Sequence, residues 1–178
     1  MFPDIVKIYP NTDVDESVDK VEDKHRANPD EHGFPTECVA KALKICNGCN
    51  CIEFNGKYYL PCRGCATGPA HTCELTDVWI GSVTDKHLQT CPVETVHFSI
   101  YRDDGLDILP GGERDLPTLI HHFNNLHPNL NWEFKHGTEG SYLDLFIMLK
   151  NGKIETKMFT KSEPIYIGPT SFHKPKVS

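Results

Sequence analysis

The feature that most constrains this chain is Tyr101-Arg102-Asp103-Asp104, two adjacent acids set inside an apolar, alternating stretch. Val96, Phe98 and Ile100 alternate with polar residues up to the acids, and Leu106, Ile108 and Leu109 resume apolar character after Gly105. Such alternation, interrupted by turn residues, predicts strand, tight Asp-Asp-Gly turn, strand. Ionised carboxylates only accept hydrogen bonds, and two held side by side repel unless a cation lies between them. A hard divalent ion such as magnesium, bound by one or two carboxylates plus substrate phosphates, supplies that cation. A solvated Asp-Gly turn between two apolar strands uses the same residues without an ion, so the tetrapeptide alone leaves both readings open.

The other elements alternate without internal repeats. Asp4 to Tyr9 reads as a short strand ended by Pro10, and Val14 to Arg26 as a charged helix broken at Asn28-Pro29 and His32-Gly33. Thr36 is placed to cap a second helix, whose Val39, Ala40, Leu43 and Ile45 form one apolar stripe. Asn55-Gly56, flanked by Ile52, Phe54, Tyr58 and Leu60, is a hairpin signal. Pro69 opens a helix carrying Leu75, Val78, Trp79 and Val83, and Leu116 to Leu126 is helical. Asn131 to Phe134, Tyr142 to Leu149 and Lys153 to Phe159 read as strands, the last two joined at Asn151-Gly152. Antiparallel strands with helices packed on one face give an α+β sandwich.

With 178 residues, 38% apolar and 24% charged, the chain is long enough to bury a core and fits a single domain. No basic segment followed by an apolar stretch opens it, and no apolar run approaches the ~18 residues of a membrane span. The expectation is an intracellular product, nuclear or cytoplasmic, neither secreted nor partnered with a membrane. A net charge of -7 argues against a strong free-standing nucleic-acid binder. Acid is concentrated over residues 12–31, whereas Lys150, Lys153, Lys157, Lys161, Lys174 and Lys176 make the last stretch basic, which suits a template or primer backbone. Either run also fits a solvated face.

The order of segments resembles the palm of a reverse transcriptase, most closely that of Penelope-like and related retroelements, over nearly the whole chain. Asp4-Ile5-Val6-Lys7-Ile8-Tyr9-Pro10-Asn11 is similar to motif A, a strand carrying one catalytic Asp. Arg63-Gly64-Cys65-Ala66-Thr67-Gly68-Pro69 is similar to motif B, a Gly-rich turn before a long helix. Tyr101 to Asp104 is similar to motif C, and Leu126-His127-Pro128 and Tyr142-Leu143-Asp144-Leu145 to later palm segments. The resemblance implies one polymerase palm-like domain over residues 1–178, from a retrotransposon, with RNA-directed DNA polymerisation as the parent activity.

It further implies that Asp4, Asp103 and Asp104 are catalytic and bind Mg2+ (or Mn2+), two ions ~3.5–4 Å apart clamping the primer hydroxyl, the α-phosphate and the leaving pyrophosphate. Tyr9 takes the place where this enzyme class carries a residue that packs under the sugar and excludes a ribose 2'-hydroxyl. A core aromatic before a turn has the same sequence signature. Gly64 and Gly68 are expected to let the backbone approach nucleotide or template base, and Tyr101 completes the substrate-binding set. The implied partners are an RNA/DNA template-primer and deoxynucleotides. The chain departs from the wider family at Pro61, where many members have Gln, and at Thr67, where they have Met. Asp4 stands three residues from Met1, so the basic fingers strands that precede motif A, and the thumb, are expected from a longer chain. A fragment or remnant with little activity alone is therefore the expectation.

A competing metal reading comes from the cysteines. Cys46-Asn47-Gly48-Cys49 and Cys62-Arg63-Gly64-Cys65 are two C-x-x-C pairs separated by twelve residues, a spacing close to that of a zinc ribbon. Joined through the Asn55-Gly56 hairpin, they would hold Zn2+ and make the chain a non-enzymatic interaction module. Reduced thiols acting as small apolar side chains need no such geometry, and the overlap with the motif B segment leads us to expect the two pairs apart. Cys38, Cys51, Cys73 and Cys91 have no evident partner. His121, His122 and His127 lack the i, i+4 pairing around a Glu of helical zinc proteases and read as solvated or capping. No phosphate loop or nucleophile elbow appears.

Overall fold

The computed structural model describes residues 1–28 and 33–159, which fall into two compact units divided between His136 and Gly137. Pro29, Asp30, Glu31, His32, Lys161, Lys174 and Lys176, on which parts of the helix-break and charge readings rest, lie outside the described residues.

The first unit opens with strand β1 (Phe2–Ile5) and a helical turn α1 (Ile8–Asn11), followed by helices α2 (Val14–Ala27) and α3 (Thr36–Gly48). A small hairpin, β2 (Ile52–Phe54) and β3 (Lys57–Tyr59), precedes the long helix α4 (Ala70–Thr90). A second hairpin, β4 (His97–Tyr101) and β5 (Asp104–Ile108), then helix α5 (Leu116–Asn124) and strand β6 (Trp132–Lys135), complete it. The principal sheet is antiparallel in the order β4-β5-β1-β6. The architecture is α+β.

Side chains alternate across a strand, so Pro3 and Ile5 of β1 are buried on one face while Phe2 and Asp4 take the other. Ile5 joins Trp79, Ile80 and Val83 of α4 and Leu119 and Phe123 of α5 in one core, with Phe98, Ile100 and Phe134 packed against it. Each such fully buried large side chain contributes about 1.5–3 kcal/mol. Val18 of α2, Ala40 of α3, Leu75 of α4 and Cys65 form a second, smaller core. Helices α4 and α5 thus pack on the Ile5 face of the sheet, and Asp4 lies on the other.

Several local expectations need correction. The strand at Asp4 ends at Ile5, because Lys7 adopts the left-handed region (φ 53°) and turns the chain into α1. Pro10 sits within that helical turn, where its missing N–H has no partner to lose. Thr36 does not cap α3, whose N-cap is Pro35; its hydroxyl lies 3.0 Å from Nδ1 of His25. The turn between β4 and β5 is Arg102-Asp103, not Asp-Asp-Gly: Tyr101 pairs with Asp104, and Gly105 lies inside β5 opposite Ile100. Arg102 takes the left-handed position there at φ 56°.

The second unit is a three-stranded meander of β7 (Glu139–Tyr142), β8 (Leu145–Lys150) and β9 (Lys153–Met158). The single strand expected from Tyr142 to Leu149 is therefore a hairpin, turned at Leu143 (φ 52°), whereas Asn151-Gly152 turns where expected, with φ of 51° and 72°. Lys150 pairs with Glu155 at 3.5 Å. Among the described residues, no helix is long and apolar enough to cross a membrane.

Candidate metal centre

Asp4 and Asp104 oppose each other on the face of the principal sheet away from Ile5, with Asp103 close enough to act on Asp4 electrostatically. Asp4 is the direct cross-strand partner of Asp104 in β5 and of Glu133 in β6, and Asp104 is the partner of Tyr101 in β4. Directly opposed residues share a face, so Tyr101, Asp104, Asp4 and Glu133 form one row across four strands. The Ile5 N–H donates to the Asp103 carbonyl at 2.9 Å, which fixes the hairpin tip against the end of β1. Gly105 permits this approach: a Cβ there would stand 2.6 Å from Cγ of Pro3 and 2.9 Å from its carbonyl oxygen.

The row is electrostatically strained. Burial raises the Asp4 pKa first, and the charges of Asp103 and Asp104 raise it further, with Lys135 opposing them. A carboxylate so disfavoured is one that a cation would restore to its charged form. Oxygen donors in this number and of this hardness suit magnesium or manganese rather than zinc.

Tyr9 reaches α4 from α1. Its hydroxyl lies 3.6 Å from Sγ of Cys73, a contact that raises its pKa together with burial. Nε of Arg102, at the hairpin tip, lies 3.9 Å from Oδ1 of Asp77, one helical turn further along α4, and its guanidinium sits 5.5 Å from the centre of the Tyr101 ring. Tyr9 and Arg102 are close enough to act on each other electrostatically. Cys73 and Asp77 thus anchor both the β1–α1 segment and the tip of the β4–β5 hairpin. No local sequence signal marks either residue.

Gly64 is placed against its own chain. With φ +73°, it packs where any Cβ would collide with the Pro10 backbone, and the next N–H, of Cys65, donates to the Tyr9 carbonyl at 2.8 Å. Its freedom is used to seat the Gly-rich loop on α1. Gly68, by contrast, has open space around the position of a Cβ.

The four cysteines of the ribbon spacing have different surroundings: Cys46, Cys49 and Cys62 are exposed, and Cys65 is buried in the smaller core, where its thiol pKa is raised by burial. Two groups of three His, Cys, Asp or Glu side chains bring their ligand atoms within 4.8 Å of one another among the described residues. They are Asp13, Glu16 and His127, and His87, Cys91 and His122; neither includes the ribbon cysteines or the Asp4 row.

The first group is already paired. Oε2 of Glu16 accepts from Nε1 of Trp79 at 3.1 Å and lies 2.9 Å from Nε2 of His127, while Asp13 caps α2 through the Glu16 N–H at 3.0 Å. The second group corrects the reading of His122 as a solvated histidine: it is half-buried, its ring centre 5.2 Å from that of His87. No protein-family model matches this chain, and no curated protein is significantly similar to it in sequence.

Proposed function

We propose that this chain serves as the palm of a retroelement-type RNA-directed DNA polymerase. Asp4, Asp103 and Asp104 would hold Mg2+ or Mn2+ for nucleotidyl transfer on an RNA/DNA template-primer. The observation that carries the reading is the direct opposition of Asp4 and Asp104, with Asp103 held beside them by its bond to the Ile5 N–H. The element order supports it too. A first strand bearing one acid becomes the neighbour of a hairpin bearing two, and a long helix and a second helix cover the opposite face.

When bound, divalent ions supply charge neutralisation at the attacking and leaving oxygens. The chain's own part is positioning. The β1–β5 register sets Asp4 against Asp104, Gly105 allows the strands to close, and the Arg102 to Asp77 contact steadies the hairpin tip. Tyr9, held at Cys73, would present its ring edge to a deoxyribose.

Thermal unfolding with manganese or magnesium tests the reading. A rise in midpoint is expected for the parent chain and a much smaller one for Asp103→Asn and Asp104→Asn; equal rises in all three would remove the metal site and the reading with it. Primer extension by the isolated chain is expected to be feeble, because its charge of -7 repels the nucleic-acid backbone.

A further inference from the structure

The last turn of α4 and the residue that follows it bring His87 and Cys91 to one side, four residues apart. Helix α5 brings His122 up to them, and the ligand atoms of the three all lie within 4.8 Å of one another. The ring centres of His87 and His122 are 5.2 Å apart. Two imidazoles on one tetrahedral zinc, with Zn–N of about 2.0–2.1 Å, have ring centres about 5 Å apart.

The surroundings lack what an ordinary core histidine requires. His87 is 1% exposed and neither of its nitrogens has a hydrogen-bond partner; Nε2 of His122 has none either. Asp107 is fully buried with neither carboxylate oxygen hydrogen-bonded, and it is close enough to the Met1 ammonium and to Cys91 to act on both electrostatically. Five buried side-chain atoms of His87, His122 and Asp107 are thus without a hydrogen-bond partner. Native structures keep such atoms few, and an ion is one of the things that explains them. Phe98 and Phe123, at 4.4 and 4.5 Å, hold the plane of the His87 ring and keep water out. Burial pushes the Cys91 thiol pKa up and the charge of Asp107 adds to this, while a hydrogen bond from the Val93 backbone opposes both, so the thiol is held protonated until a metal takes the place of its proton. Burial, with His122 beside it, lowers the His87 pKa to about 4 and so keeps the imidazole neutral.

We propose that His87, Cys91 and His122 bind one zinc ion, and that the ion staples the end of α4 to α5. Two imidazoles and a thiolate select zinc over magnesium, which requires oxygen donors. Loading releases the Cys91 proton to solvent, and binding is correspondingly tighter at higher pH. The site shares no residue with the Asp4 row, so either proposal can fail without the other.

The test uses the full chain, purified without chelator, with the exposed Cys38, Cys46, Cys49, Cys51 and Cys62 replaced by Ser. One zinc per chain is expected by elemental analysis, with affinity weakened by about tenfold or more in His122→Asn and in Cys91→Ser. Cobalt(II) in place of zinc should give a sulfur-to-cobalt charge-transfer band and intense visible bands of tetrahedral cobalt, both lost in Cys91→Ser. Circular dichroism checks the fold of each variant. Where Cys91→Ser does not fold, the parent background decides: zinc must protect Cys91, rather than Cys65 or Cys73, from alkylation mapped by peptide mass. Absence of zinc after loading, a cobalt spectrum without the sulfur band, zinc retained undiminished in folded Cys91→Ser, or protection of another thiol overturns the proposal.

Discussion

Asp4 and Asp104 face each other across the β1–β5 pair, and Asp4 holds its proton more tightly than a free aspartate because burial, then Asp103 and Asp104, disfavour its charge. A carboxyl whose pKa is raised by folding contributes stability that is full below its unfolded value of 3.8 and is lost as pH rises through the folded value. Asp4→Asn is therefore expected to be more stable than the parent chain at pH 7 in EDTA, by on the order of 0.5 kcal/mol, the size of a cross-strand like-charge pair. Near pH 3 the difference should vanish. Urea denaturation at the two pH values checks it, and adding manganese at pH 7 should reverse the order.

Gly105 is expected to tolerate no side chain. Gly105→Val would drive β1 from β5 at Pro3, at a cost of about 1–3 kcal/mol for forced overpacking. The melting temperature should fall, and the divalent-ion response should fall with it because Asp4 and Asp104 separate. Gly81, in the middle of α4 with nothing within 4 Å of a Cβ, provides the contrast. Gly81→Ala should stabilise by about 0.5–1 kcal/mol through helix propensity, with no effect on ion binding.

At Gly64 the loss has two sources, a left-handed backbone and contact with the Pro10 main chain, which cannot rotate away. Gly64→Ala should cost about 1–3 kcal/mol in chemical denaturation. Because the Cys65 N–H donates to the Tyr9 carbonyl from the same loop, hydrogen exchange of the Cys65 amide should speed up in the variant.

Asp107 gives a pH dependence of known sign. Burial raises its pKa from 3.8 to about 6 against the opposing charge of the Met1 ammonium, so without metal its contribution is full below about pH 3.8 and lost as pH rises through about 6, a change of about 3 kcal/mol. Asp107→Asn, uncharged at every pH, should exceed the parent chain in stability at pH 8 in EDTA and match it near pH 3.5.

The exposed thiols are expected to be dispensable. Cys46→Ser, Cys49→Ser and Cys62→Ser should each change stability by no more than about 0.5 kcal/mol, whereas Cys65→Ser, which buries a hydroxyl in an apolar core, should cost about 1–3 kcal/mol. Zinc content should be the same in the first three variants as in the parent chain. Its loss in any of them would favour the ribbon arrangement of Cys46, Cys49, Cys62 and Cys65.

Local chemistry alone determined much of this protein. The Asn55-Gly56 and Asn151-Gly152 turns adopt the left-handed backbone that few other residues take, Pro69 immediately precedes α4, and the alternation around Phe98 and Ile100 yields the β4–β5 hairpin. These follow from conformational preferences carried within a few residues. The placement of the turn at Arg102-Asp103, the end of β1 at Ile5 and the hairpin at Leu143 were decided by tertiary structure. Gly105 is needed flat against Pro3, which sets the β4–β5 register two residues from where turn propensity points. The cluster of His87, Cys91 and His122 was hidden for a related reason. Its members lie on two helices, and only the packing of α4 and α5 on one face of the sheet brings them together, since periodicity tells which way a side chain points but not what it meets.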